Sequence, residues 1–483
     1  MQRSKPLNRS LCDRLRSSIA MTGLVVLGIA GCGSSKSTSS SSTPPAAPQT
    51  YFAPTVTGGL VQTPSTYSFD ETQTPPTFWQ TIYNPQTQPG PQILYAGKSS
   101  ASQRGLLSMD VSTAYVYNNT SSGAYIPTSI NSTSNFAVQL PDQAGGLIQL
   151  EGWNGAQLVA QPAAPLVAAT QCPNSASVQS YQFITIPAAL LSAGAAPTRY
   201  AWDPTTETAF GSADISSSGS TVNFQNIQQF TLPSVGGTGA PAQPPSSSLT
   251  GVCAQTYFGY TISIPGQEVI TNPVTGGTVS PQAIIGIGTS GLLVEDNGSS
   301  NTSGTLTGSS PPLPYDNVLG AGTGAIGLLK PSAALDTGAV VGAQYLGFIY
   351  VAGIYQNGAP TGWSSHLASF GFSTVPSSCN SVAASTSTLI YGGDFSNDDP
   401  SASSNGYGNC DFAIDLGSQD SANNGRYPHA TVWVGAGYAA NSTGASYSFP
   451  AIAIAGQLNG KYAIFLIGTD SSQPWAIYLL QSN

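Results

Sequence analysis

Charge is what this chain has least of. Asp, Glu, Lys and Arg make up only 7% of its 483 residues, against about 25% in an ordinary globular protein. Coiled coils and long solvent-exposed helices need charged faces, so both are excluded. The little charge present is mostly of one sign, with 21 Asp+Glu against 12 Lys+Arg. Arg3, Lys5, Arg9, Arg14 and Arg16 all precede residue 32 with only Asp13 against them, so the rest of the chain is more acidic still. That field repels a phosphate backbone and an anionic lipid surface, which excludes nucleic acid as a partner. Histidine is nearly missing, with His366 and His429 alone. No H-E-x-x-H or G-x-S-x-G occurs, so neither the helical zinc site nor the nucleophile elbow is present. Each histidine sits in or beside a strand-like stretch and reads as a strand or surface residue. No segment has 18 consecutive apolar residues, so no spanning helix is expected.

What is there begins at the N-terminus. A basic stretch ends at Arg16, an apolar run covers Ile19 to Ile29, and Ile29-Ala30-Gly31-Cys32 closes it. The run is too short to span a bilayer and has the layout of an export signal. Its ending resembles the lipobox of bacterial lipoproteins. The resemblance covers about the first 30 residues. It implies that residues 1–31 are removed and that Cys32 is acylated and becomes the new N-terminus. The chain would then be exported and held to the membrane by its lipid anchor. Gly33-Ser34-Ser35 follow, with no Asp. In lipoproteins of double-membrane bacteria Asp at this point favours the inner membrane, so its lack points to the outer one. Residues 32–50 are rich in Ser, Thr and Pro without hydrophobic period, and read as a flexible tether spanning roughly 23 Å.

From Tyr51 the apolar period is two. Phe136-Val138-Leu140, Phe258-Tyr260-Ile262-Ile264 and Phe412-Ile414-Leu416 alternate with small or polar neighbours, the pattern of half-buried antiparallel strands. Asn459-Gly460 between Ala451–Gln457 and Lys461–Ile467 predicts a two-residue hairpin. Helix signals are confined to Pro187–Ala196 and Pro331–Leu335. The fold class is therefore all-β, an antiparallel meander of more than 15 strands, barrel- or sandwich-like, with a degenerate β-propeller as the alternative. Length suggests two or three domains. The one usable composition shift, near Pro162–Cys172, divides an N-terminal β region, 51–172, from a C-terminal β domain, 173–483.

Six cysteines occur. Cys12 leaves with the signal and Cys32 is acylated, so Cys172, Cys253, Cys379 and Cys410 remain. An even number in an exported chain points to disulfides. Three connectivities are open. Cys172–Cys253 with Cys379–Cys410 is favoured because sequential hairpins bring near neighbours together.

Two segments match G-x-G-x-x-G, Gly286 to Gly291 and Gly322 to Gly327. A dinucleotide fingerprint needs a helix after the loop, and neither leaves room for one. The glycines read instead as places where large side chains or a neighbouring chain pack close. The segment Gly392 to Asp411 carries Asp394, Asp398 and Asp399 on a Gly-rich stretch. It offers the oxygens calcium prefers, without the EF-hand spacing; its alternative is a solvated polar loop. No cofactor is required, and structural calcium is the one metal expected. Glu151, Glu207, Glu268 and Glu295 are carboxylates of the type glycosidases use, but no spacing selects a pair. The composition therefore favours contact over chemistry. The expected function is a surface-tethered, non-enzymatic binding or structural module whose partner is a polysaccharide or an envelope protein. The rival is an extracellular carbohydrate-active enzyme.

Overall fold

Alternation builds strands here, and in the computed structural model the strands close eight at a time into three antiparallel barrels. The structure describes residues 49–54, 65–70, 77–83, 91–101, 106–118, 124–140, 144–149, 151–153, 158–160, 163–174, 177–186, 208–231, 248–256, 258–265, 270–271, 278–279, 282–296, 324–351, 355–356, 359–360, 364–371, 375, 377–383, 388–394, 410–435, 447–468 and 475–482. The N-terminal barrel runs from Gln49–Ala53 to Ala164–Val167, and the pair Phe52 and Val167 closes it. The middle barrel runs from Gln179–Ile186 to Gly324–Leu329, which pair from Tyr181↔Leu329 to Ile186↔Gly324. The C-terminal barrel runs from Tyr345–Val351 to Trp475–Gln481, which pair from Tyr345↔Gln481 to Val351↔Trp475. Barrels settle the choice left open by the sequence; there is no propeller in this arrangement.

Three expectations are corrected. The first strand begins at Gln49, so the last two residues assigned to the tether belong to the N-terminal barrel. Residues 173–483 hold two barrels rather than one domain. Pro331–Leu335 is not helical. The helix is Thr337–Val341, set by Asp336 as its N-cap, whose carboxylate accepts from the Gly338 and Ala339 amides at 2.9 and 3.3 Å. An Asx cap satisfies the free amides of a first turn, which is why the turn starts there and not at the proline. The segment Pro187–Ala196 lies outside the described residues.

Eight strands leave a barrel lumen just wide enough for side chains to fill. In the middle barrel it is filled by Tyr181, Phe183, Ile215, Phe224, Ile262, Ile264, Ile285 and Leu293, all buried. The C-terminal lumen holds Tyr345, Phe370, Phe412, Tyr427, Phe449, Leu466 and Trp475 in the same way. Asn459 and Gly460 form the expected two-residue turn, both with positive φ, 50° and 77°. This is the backbone that Asn-Gly adopts without strain.

The barrels share apolar surface. One cluster of buried residues runs from Phe52 and Val167 through Leu292, Val294, Ile326 and Leu328 to Ile452 and Ile454. The joints are made by small residues. At Gly286 a Cβ would lie 2.8 Å from Val167 and 2.9 Å from Phe52, and at Gly456 one would lie 3.4 Å from Leu328. The first G-x-G-x-x-G is thus a hairpin between Gln282–Ile287 and Leu292–Asp296 on which the N-terminal barrel seats.

Candidate binding face and the polar joint beside it

In the middle barrel three adjacent strands carry runs of polar outer positions, bordered by exposed Val252 and by the Phe210 and Phe230 rings. Phe210–Ser218 presents Ser212, Asp214, Ser216 and Ser218, Thr221–Phe230 presents Asn223, Gln225 and Gln228, and Ser248–Thr256 presents Ser248 and Thr250. Register aligns them into rows: Ser212 opposite Gln228, Asp214 opposite Gln225, Ser216 opposite Asn223, and Asn223 opposite Thr250. Thr250 Oγ1 donates to Asn223 Oδ1 at 3.3 Å, and Ser212 Oγ to Gln228 Oε1 at 3.4 Å. Asp214 is the one charged side chain in these rows. It accepts from Ser180 Oγ at 2.6 Å and from Asn226 Nδ2 at 2.7 Å. A bulge opposite Asp214 makes the second contact. Asn226 takes a left-handed backbone, φ 49°, and the register shifts there, re-aiming its amide.

On these three strands the barrel is mostly apolar inside and polar outside, whereas outward Ile184, Leu292, Val294 and Ile326 on its other strands join the apolar cluster shared with the neighbouring barrels. The three-strand face is a lattice of amides and hydroxyls, able to donate and accept.

Beside the face lies a polar joint with the C-terminal barrel. Phe210 and Phe230 stack with centroids 5.1 Å apart at the end of the first two face strands. The Arg426 guanidinium, from strand Arg426–Val434, lies 5.9 Å from both rings. Arg426 also donates Nε to Asp420 Oδ2 at 3.0 Å and pairs with the same oxygen through Nη2. Burial alone would raise the Asp420 carboxyl. The hydrogen bonds from Arg426, the Ala422 amide and Asn423, with the Arg426 charge, outweigh it and hold the group down at about 2. The loop before Arg426 is tied on as well. Lys330 Nζ donates to Ala422 O at 3.1 Å and Asn423 Oδ1 at 3.3 Å, Asn424 Nδ2 to Pro331 O at 3.2 Å, and Gln182 Nε2 to Asn424 O.

The cysteines that the sequence singled out are joined as Cys172 with Cys253, Cα atoms 5.8 Å apart, and Cys379 with Cys410, 4.9 Å apart. Cys379 and Cys410 are buried in a satellite cluster with Val382, Leu389, Tyr391 and Ala413 on the outside of the C-terminal barrel. Asp394 ends the strand Leu389–Asp394. Asp398, Asp399 and Cys32 lie outside the described residues, as do Glu207 and Glu268. Glu151 opens the short strand Glu151–Trp153. Glu295 is fully buried on the strand Leu292–Asp296, next to buried Asp296. Successive strand residues face opposite ways, so these two do not form a carboxylate pair. His429 is exposed on its strand, and His366 lies in Ser364–Phe370. Sequence reading missed the face and the Arg426 joint. The face was legible as polar residues at alternate positions over 212–218 and again over 221–225; the joint was not, because Phe210 and Arg426 are more than 200 residues apart.

No family model matches the chain, and no curated protein does. Among solved structures it matches two mutant forms of the vaccine antigen transferrin-binding protein B from Haemophilus parasuis. The single mutant is 8% identical, with 91% of this chain and 77% of that one covered at a TM-score of 0.21. The double mutant is also 8% identical, with 90% and 76% covered at 0.19. At these values the match carries no argument about this chain's fold or ligand.

Proposed function

We propose that this is an exported envelope lipoprotein that works by contact, and that its middle barrel binds a neutral polysaccharide. The lattice of Ser212, Ser216, Asn223, Gln225, Gln228 and Thr250 carries the reading. A hydroxyl-rich polymer offers donors and acceptors at every ring, and a face of amides and hydroxyls satisfies both without bringing a charge to desolvate. The one carboxylate in the rows is already satisfied within the protein. With the lumen of the middle barrel packed by side chains, a ligand of that barrel is met on its outside. Disulfide bonding fits an oxidising compartment, and so an exported chain.

The test is co-sedimentation of the full chain with chitin and with cross-linked dextran. Binding to at least one is expected. Replacing Ser212, Asn223 and Gln228 together by Ala removes three hydrogen bonds at about 1 kcal/mol each, so affinity should fall roughly a hundredfold with the melt unchanged. Binding unaffected by the triple variant would remove the face from the account. Release of reducing ends during the incubation would favour the carbohydrate-active enzyme instead.

A further inference from the structure

We propose that the Arg426 joint is a conformational latch by which the C-terminal barrel clamps the end of the middle barrel's polar face, so that the two barrels open together. This holds whatever the face binds. The joint differs in kind from the one on the other side of the middle barrel. Beside the Cys172–Cys253 disulfide, which ties the connector to the middle barrel, the described contacts there are mainly apolar. They are Phe52 edge-on to Phe258 at 5.8 Å, Phe52 and Val167 over Gly286, Val167 over Gly288 and Leu292 over Gly145, with one backbone bond from Tyr260 N to Ala169 O at 2.8 Å. Apolar contacts of that sort are non-directional. The Arg426 joint fixes geometry. Its guanidinium is one of few cations in the chain, its side chain is only 13% exposed, and Asp420 turns it toward the rings. A cation over an aromatic face gains most where water is thinned out, as here.

Placement gives the latch its effect. Phe210 begins one face strand and Phe230 ends the next. Their stack lies at the open end of that hairpin, next to the backbone bond from Ala209 N to Phe230 O. Held from the other barrel, both strand ends are kept from fraying. The segment from Gln419 to Arg426 is in turn ordered by the middle barrel, through Lys330, Pro331 and Gln182. Gln419 is held by the connector rather than the barrel, accepting from Leu335 N at 3.2 Å and donating to Leu335 O at 3.2 Å. Each barrel therefore orders a segment of the other, and coupling of this kind is reciprocal.

Hydrogen–deuterium exchange on the full chain tests it. In Arg426→Ala, amides near Phe210 and Phe230 should exchange roughly tenfold faster, while Leu106–Asn118 in the N-terminal barrel stays as it was. Phe230→Leu should quicken exchange across residues 419–426, in the other barrel. Arg426→Lys keeps the charge and loses the planar fork, and should fall between. Unchanged exchange at Phe210 and Phe230 in a folded Arg426→Ala protein would overturn the latch. If that variant does not fold, unchanged exchange at 419–426 in Phe230→Leu would overturn it equally.

Discussion

At the scale of single residues, a chain with so few charges puts weight on each one. Asp420 is the clearest case. Its carboxyl is held at about 2 against 3.8 for the free side chain, and it is 19% exposed. A folded value below the unfolded one means the ionised form stabilises the fold at any pH above the unfolded value. That gain is lost as the pH falls from about 4 toward 2. The shift corresponds to about 2 kcal/mol. Denaturant unfolding at pH 6 and pH 2.5 should show a loss of that order from this group, and Asp420→Asn should be weaker at pH 6 and lose less on acidification. An equal loss in the variant would place the acid sensitivity elsewhere. Glycine carries weight of another kind. The pattern Gly286 to Gly291 matches G-x-G-x-x-G, but without room for a helix it predicts close packing rather than a dinucleotide site. Phe52 and Val167 over Gly286 are that packing.

Among elements, those with one wet face were legible and those without were not. Phe412, Ile414 and Leu416 alternate in the sequence and are buried in the C-terminal lumen. The Asn459-Gly460 hairpin was readable because two residues of positive φ leave little choice of side chain. Leu292–Asp296 is buried on both faces, so its period of two vanishes, as it does in any strand covered on both sides. The helix Thr337–Val341 was placed too early because Gly338, Val340 and Val341 are poor helix formers. It exists through the Asp336 cap and through buried Tyr345, whose hydroxyl donates to Val340 O. The two disulfides act at this scale also. Cys379–Cys410 spans a sequence separation of 31, and closing such a loop in the unfolded chain is worth about 3.7 kcal/mol on the chain-entropy model. Replacing both cysteines by Ala should lower the unfolding free energy by roughly 2–4 kcal/mol. Equilibrium denaturation of that double variant measures it, and a loss below 1 kcal/mol, roughly a quarter of the entropic figure, would mean that the loop ends stay together without the bond.

On the proposed reading, the hold of the whole molecule on a membrane is confined to one residue, Cys32. Length suggested two or three domains, but nothing marked the passage from the middle to the C-terminal barrel. Residues 330–344 are rich in Ala and Gly with a single Pro, and no composition shift sets them apart; the joint is sealed by contacts distant in sequence. The middle and C-terminal barrels are largely apolar within, and the face formed by Phe210–Ser218 and Thr221–Phe230 carries mostly Ser, Asn and Gln toward water. Such a face gains nothing from lipid, and the net charge of −9 is repelled by an anionic leaflet. Membrane attachment on this reading rests on the acyl chains of Cys32 alone. Each buried CH₂ contributes about 0.8 kcal/mol, one chain holds only reversibly, and two or more hold stably. Cys32→Ser should therefore move the protein from the detergent-rich to the aqueous phase, while its melt and its two disulfides stay as in the parent. A variant that still pellets with membranes would locate the affinity in the barrels, and the polar outer face would then have to meet a membrane-bound partner rather than a free polymer.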